Sequence, residues 1–62
     1  MVTKQKFISY LRIQRSGLTN MFDVRAVCDL SGKVLTKEDC IDIMSNYDKY
    51  MEQWADAEDE VA

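Results

Sequence analysis

Two Ser-Gly pairs constrain the fold of this chain more than any other feature. Gly17 and Gly32 are the only glycines in 62 residues, there is no proline, and each glycine follows a serine at the end of a stretch with helical spacing of apolar residues. Glycine lacks a Cβ and readily adopts the left-handed conformation in which helices commonly end. The sequence therefore predicts an all-α protein, a small three-helix bundle with helices over residues 4–16, 21–31 and 37–55.

The first connection has residues that can end one helix and begin the next. Thr3 is the expected N-cap of the first helix and Gly17 its end. Either Thr19 or Asn20 can be the N-cap of the second helix, and Asn20 is preferred because it places Asp23 in the first turn, near the positive end of the helix dipole. Phe22 is expected to fasten this corner into the core together with its neighbour Met21.

The third helix has the clearest beginning. Thr36 and Asp39 have the spacing of a capping box, in which each residue's side chain bonds the other's backbone amide. Apolar residues then recur at spacings of four and three along a seam that comprises Cys40, Met44, Tyr47, Met51 and Trp54.

The end of this long helix has two alternative roles. A helix over 37–55 is about 28 Å long, whereas a second helix of eleven residues is about 16 Å long. Its last turns then extend past the bundle and form a surface for a partner or a second copy, unless they pack on Phe7 and Leu11 of the first helix. The residues of this candidate surface are Tyr47, Tyr50, Met51 and Trp54.

The size of the chain limits it to one domain, which we assign to residues 1–55. Residues 56–62 carry four carboxylates at the negative end of a helix, so we expect a frayed acidic tail. No apolar run approaches the roughly 18 residues of a membrane span, and the N-terminal residues lack the apolar segment of a signal peptide. We therefore expect a cytoplasmic protein that does not enter a membrane.

The net charge of −3 combines two halves of opposite sign. Residues 1–34 contain six basic and two acidic residues, and residues 35–62 contain two basic and nine acidic ones. This polarity is explained either by packing between the halves or by surfaces that face a partner. The candidate acidic face comprises Glu38, Asp42, Asp48, Glu52 and Asp56. The candidate basic patch comprises Arg12, Arg15, Arg25 and Lys33.

The residues needed for most enzyme chemistry are missing. There is no histidine, and Cys28 and Cys40 do not have the C-x-x-C spacing of a redox or zinc site, so we expect them to be reduced thiols in the core. There is no phosphate-binding glycine motif. A bundle of this size also rarely encloses a substrate cavity of a few hundred Å³. We expect no catalytic, cofactor-binding or metal-binding residues and no enzymatic activity.

Two nucleic-acid hypotheses remain open. The second helix, the turn at Gly32 and the third helix have the outline of a helix-turn-helix, which predicts a small DNA-binding regulator. Against it, the first turn of the third helix carries carboxylates, whereas DNA affinity depends largely on cations. Alternatively, the acidic face acts as a DNA mimic that occupies a partner's DNA-binding groove, unless it is only a solvated outer face of the helix.

One stretch resembles known proteins. Residues 15–24, RSGLTNMFDV, are similar to a segment of short phage and prophage proteins that are small, helical and without assigned activity. The resemblance implies a phage or prophage setting, and the cytoplasm of the host cell if a phage encodes the chain. We therefore expect a non-enzymatic protein–protein interaction module that occupies a surface of a host or phage protein, with a homodimer through the third helix as a further expectation.

Overall fold

The computed structural model describes residues 2–17 and 19–61. Three residues lie outside these ranges: Met1 of the predicted domain, Leu18 of the stretch RSGLTNMFDV and Ala62 of the predicted tail. The described residues form five helices and no strand, so the all-α prediction is confirmed. The helices are α1 (Lys4–Ser16), α2 (Val24–Leu30), α3 (Lys37–Ser45), α4 (Tyr47–Gln53) and α5 (Ala57–Val61).

Helix α1 begins and ends where the sequence predicts. The Thr3 hydroxyl accepts a hydrogen bond from the Lys6 amide at 3.3 Å, and Gly17 adopts the left-handed conformation with φ 65°. One face of α1 supplies much of the core, including Phe7 and Leu11, which are buried. The local signals alone are therefore sufficient to place α1.

Helix α2 is shorter than predicted, and Asn20 is not its N-cap. The Asn20 side chain accepts a hydrogen bond from the Phe22 amide, two residues on, at 3.0 Å and so closes a tight turn. Asp23 then caps the helix by accepting from the Ala26 amide at 3.3 Å. Asparagine commonly bonds the backbone in this local way, and the turn delays the helix until Val24.

The predicted helix over 37–55 is divided into α3 and α4. The capping box at its start is present, with Thr36 and Asp39 each accepting from the other's amide at 3.1 Å. Asn46 has φ −123° and ψ 28°, and its side-chain amide donates to the Asp42 carbonyl at 3.1 Å and to the Asp42 carboxylate at 2.8 Å. Asparagine favours such local bonds over a regular helix, which explains the break.

The acidic C-terminal segment, which the sequence predicts to be frayed, is helical over Ala57–Val61 and packs on α1. Ala57 has no exposed surface. The Lys4 ammonium lies 2.9 Å from a carboxylate oxygen of Asp56 and 3.2 Å from one of Glu60. This cation offsets the repulsion that the sequence argument assigned to the segment, and the small side chain of Ala57 allows close contact between the two helices.

Cys40 and Ile43 of α3, Val27 of α2 and Leu35 of the connection complete the core, each at most 1% exposed. Within the described ranges, no helix combines the length and the apolar composition needed to cross a lipid bilayer.

Candidate functional site

The residues predicted to form a partner or dimer surface pack around one side chain of α1. The ring centroid of Phe7 lies 6.0 Å from that of Tyr47, 5.8 Å from that of Tyr50 and 5.7 Å from that of Trp54. Met51 also packs against the core, and all four residues are half-buried. This arrangement agrees with the packing alternative, because much of their apolar surface is used within the chain. A homodimer through these residues stays a prediction.

Hydrogen bonds also engage the polar ends of these aromatic side chains. The Tyr47 hydroxyl donates to the Gln14 side chain and the Tyr50 hydroxyl donates to the Asp42 carboxylate, each at 3.1 Å. Desolvation and the adjacent Asp42 raise the pKa of Tyr50 above its ordinary value. The Tyr50 ring is stacked on Trp54, with centroids 5.2 Å apart and planes 5° apart. The hydrogen bonds hold the hydroxyl ends of the two tyrosines, and the stacking holds the Tyr50 ring against Trp54.

The candidate acidic face does not lie along a single helix. Glu38 and Asp42 are on α3, Asp48 and Glu52 are on α4, and Asp56 follows α4. The DNA-mimic hypothesis depends on a stripe of carboxylates along one continuous helix, and the break at Asn46 divides that stripe. Two of the carboxylates also have partners within the chain, since Asp42 bonds Asn46 and Tyr50, and Asp56 pairs with Lys4.

The candidate basic residues are exposed, and two of them line different depressions. Arg12 lines a small one of about 190 Å³ between α1 and the end of α2, together with Leu30. Arg25 lines a larger one beside the beginning of α3, together with Lys37. Lys33 lies in the connection between α2 and α3 and has a φ of 66°.

Phe22 does not lie in the core, contrary to the sequence prediction. Phe22 is 79% exposed, whereas the other exposed large apolar residues that the structure describes, Val34, Ile41 and Leu30, are 45–49% exposed. The turn closed by Asn20 places Met21 against the core and leaves Phe22 outside. Asn20 is the signal in the sequence that indicates this turn, since asparagine side chains commonly accept a hydrogen bond from the backbone amide two residues on.

Phe22 forms part of the wall of a cleft of about 460 Å³ between the corner, α2 and the first turn of α3. Small-molecule sites commonly have volumes of about 300–1,000 Å³, and the volume of this open cleft lies within that range. The wall combines apolar, acidic and basic side chains: Phe22, Val24 and Cys28, then Asp23 and Asp29, then Arg25 and Lys37.

A pair of thiols lies beside this cleft. The sulfur atoms of Cys28 and Cys40 are 4.0 Å apart, and both residues are free cysteines. Cys28 is half-buried, whereas Cys40 has no exposed surface. Burial, together with the adjacent Cys28, raises the pKa of Cys40 to about 12. The pair therefore combines one half-buried cysteine at the cleft with one enclosed in the core.

The cleft suits contact with another molecule better than it suits acid–base catalysis. Arg25 and Lys37 supply two cations for a carboxylate or phosphate, and Phe22 and Val24 supply apolar contact. Asp23 is engaged in capping α2. No group of three or more cysteine, aspartate or glutamate side chains within residues 2–17 and 19–61 is arranged to hold a metal ion. Comparison of this chain with protein families, with curated proteins and with solved structures finds no match.

Proposed function

We propose that this protein is a non-enzymatic protein–protein interaction module that docks on a host or phage protein through the corner between α1 and α2. The observation that carries this proposal is the 79% exposure of Phe22 on the wall of a cleft. Phe22 also lies in the stretch that resembles short phage and prophage proteins, which supports the phage or prophage setting.

The energetics of the corner favour a role in binding. Burying a phenylalanine side chain is worth about 1.5–3 kcal/mol, and a monomer forgoes this gain when it leaves Phe22 in solvent. Aromatic side chains are enriched in protein interfaces. The hydrogen bond from the Phe22 amide to Asn20 and the cap at Asp23 hold the backbone on both sides, which lowers the entropy lost on binding.

The cleft indicates what the partner presents. Its apolar wall accepts an apolar side chain, and Arg25 and Lys37 can pair with carboxylates beside it. In the complex, Phe22 inserts into the partner while a partner side chain enters the cleft.

A photo-crosslinking amino acid at position 22 tests the proposal directly. The protein is produced in a bacterial host with benzoylphenylalanine in place of Phe22, irradiated and purified under denaturing conditions. We expect a covalent adduct with a protein at position 22. The matched control carries the same residue at Gln53, which is exposed on α4 far along the chain from the corner.

Three results decide the outcome. A protein adduct at position 22 that is absent at position 53 supports the proposal. Equal labelling at both positions, or none at position 22, contradicts it. A nuclease-sensitive adduct contradicts it as well and favours the DNA-binding regulator.

One observation keeps DNA binding as the second candidate function. Asp39, one of the carboxylates that argue against a recognition helix, is 3% exposed and paired with Lys6, so it does not face a ligand. The outer surface of the first turn then presents Lys37 and Glu38. Binding to random duplex DNA that weakens steeply with salt would support the regulator, and absence of binding at low salt would exclude it.

A further inference from the structure

Cys28 and Cys40 lie on neighbouring helices that pack on each other, with their sulfur atoms 4.0 Å apart. A disulfide bond is about 2.05 Å long, so the sulfurs must approach by roughly 2 Å. Rotation about the Cα–Cβ bond moves a cysteine sulfur between staggered positions without moving the backbone. The two thiols are therefore near enough to react with each other in the folded protein.

We propose that this pair is a site of covalent modification, in which Cys28 attacks a low-molecular-weight disulfide such as glutathione disulfide and the reaction ends in a Cys28–Cys40 disulfide. The proposal does not depend on what binds at the Phe22 corner.

The order of the two cysteines follows from their surroundings. Cys28 is half-buried and lines the cleft, which gives a small reagent access to its sulfur. Cys40 has no exposed surface, and its thiol stays protonated at neutral pH because burial and Cys28 raise its pKa to about 12. Since the thiolate is the nucleophile in exchange, Cys28 reacts first and Cys40 resolves the intermediate.

The two steps balance as ordinary thiol–disulfide exchange. The Cys28 thiolate attacks one sulfur of glutathione disulfide, the glutathione S–S bond breaks, and one glutathione leaves as its thiolate. Cys40 then attacks the Cys28 sulfur while its proton passes to the departing glutathione sulfur, which breaks the mixed disulfide and releases the second glutathione as its thiol. Two protein thiols are oxidised, and one glutathione disulfide is reduced to two glutathione thiols.

Intact-mass spectrometry of the reduced, folded protein after incubation with glutathione disulfide tests this proposal. We expect the wild type to lose two hydrogens, with at most a transient glutathione adduct. Cys40→Ala should keep one adduct on Cys28, because no resolving thiol remains. Cys28→Ala should react roughly tenfold or more slowly than the wild type, because its remaining thiol is enclosed.

Peptide mapping of the wild type provides a readout that does not depend on the variants folding. Trypsin places Cys28 in peptide 26–33 and Cys40 in peptide 38–49, so the disulfide joins two identifiable peptides. Early adducts should map to peptide 26–33. A wild type that stops at a mixed disulfide, early adducts on peptide 38–49, or disulfide-linked dimers in place of the internal bond would each overturn the proposal.

Discussion

The Lys6 ammonium donates a hydrogen bond of 2.8 Å to the carboxylate of Asp39 and so joins the first turn of α1 to the first turn of α3. The same carboxylate accepts from the Thr36 amide at 3.1 Å. One side chain thus both completes the cap of α3 and pairs with another helix. Its burial, at 3% exposure, requires such partners, because an unpaired charge in the interior is costly.

Replacing Lys6 with methionine should destabilise the protein. The substitution keeps much of the apolar stem but leaves the buried Asp39 carboxylate with fewer donors, which should cost about 1–3 kcal/mol. Urea denaturation followed by Trp54 fluorescence measures this difference. Lys49→Met, at an exposed position of α4, is the matched control and should change stability by less than about 0.5 kcal/mol. Equal effects of the two substitutions would contradict the role of the pair.

Acid should remove the stabilisation that Asp39 provides. Burial by itself raises the pKa of Asp39, but hydrogen bonds from Lys6 and Thr36 outweigh it and hold the pKa below its ordinary value of 3.8. Because the folded-state pKa is the lower one, the stabilisation is present above pH 3.8 and is lost as the pH falls through the folded-state pKa. The difference in unfolding free energy between wild type and Asp39→Asn should therefore shrink below about pH 4. A difference that stays constant down to pH 2 would rule out this linkage.

The same substitution should destabilise the protein at Phe7 and have little effect on stability at Phe22. Phe7 has no exposed surface and touches three aromatic rings, so Phe7→Leu should cost roughly 1–3 kcal/mol. Phe22 is 79% exposed, and Phe22→Leu should change the free energy of unfolding by less than about 0.5 kcal/mol. Thermal melts by circular dichroism compare the two. A large loss of stability in Phe22→Leu would place Phe22 in the core and remove the basis of the proposed docking surface.

Asp23 should matter more to stability than Asn20. Asp23 accepts from the Ala26 amide as the N-cap of α2, and replacing such a cap with alanine costs about 0.5–2 kcal/mol. Asn20 closes only the turn before the helix, so Asn20→Ala should cost less. Chemical denaturation of the two variants orders the effects, and the reverse order would restore Asn20 as the cap.

The C-terminal helix should be part of the cooperative fold. Ala57 has no exposed surface, and Ala57→Asp would bury a carboxylate against α1, at a cost of about 2 kcal/mol or more. Ala55→Asp makes the same chemical change at an exposed position and should have little effect. Hydrogen exchange of α1 amides, together with melting temperature, measures both. An Ala57→Asp protein as stable as Ala55→Asp would mean that α5 contributes nothing to the fold.

Local patterns in the sequence were sufficient for the parts of the fold that depend on neighbouring residues. The cap at Thr3, the end of α1 at Gly17 and the capping box of Thr36 with Asp39 involve residues within four positions of one another, and each was predicted. The sequence argument places Asp23 in the first turn of the second helix, whereas the structure has it as the N-cap, because several residues of this corner can cap a helix and the geometry of the whole corner selects one.

The sequence by itself determined that the chain is helical, since apolar residues recur at helical spacing in stretches that end at two Ser-Gly pairs. It also placed the aromatic residues of the predicted third helix at positions that share one face. Only the tertiary structure decided where those side chains lie. The acidic segment packs on α1, where Ala57 is buried and Lys4, 52 residues before Asp56, pairs with that carboxylate. The Tyr50 and Trp54 rings pack on Phe7, and Phe22 is left in solvent. Helical spacing reports which residues share a face of one helix, but which face meets another helix depends on contacts between residues far apart in the chain.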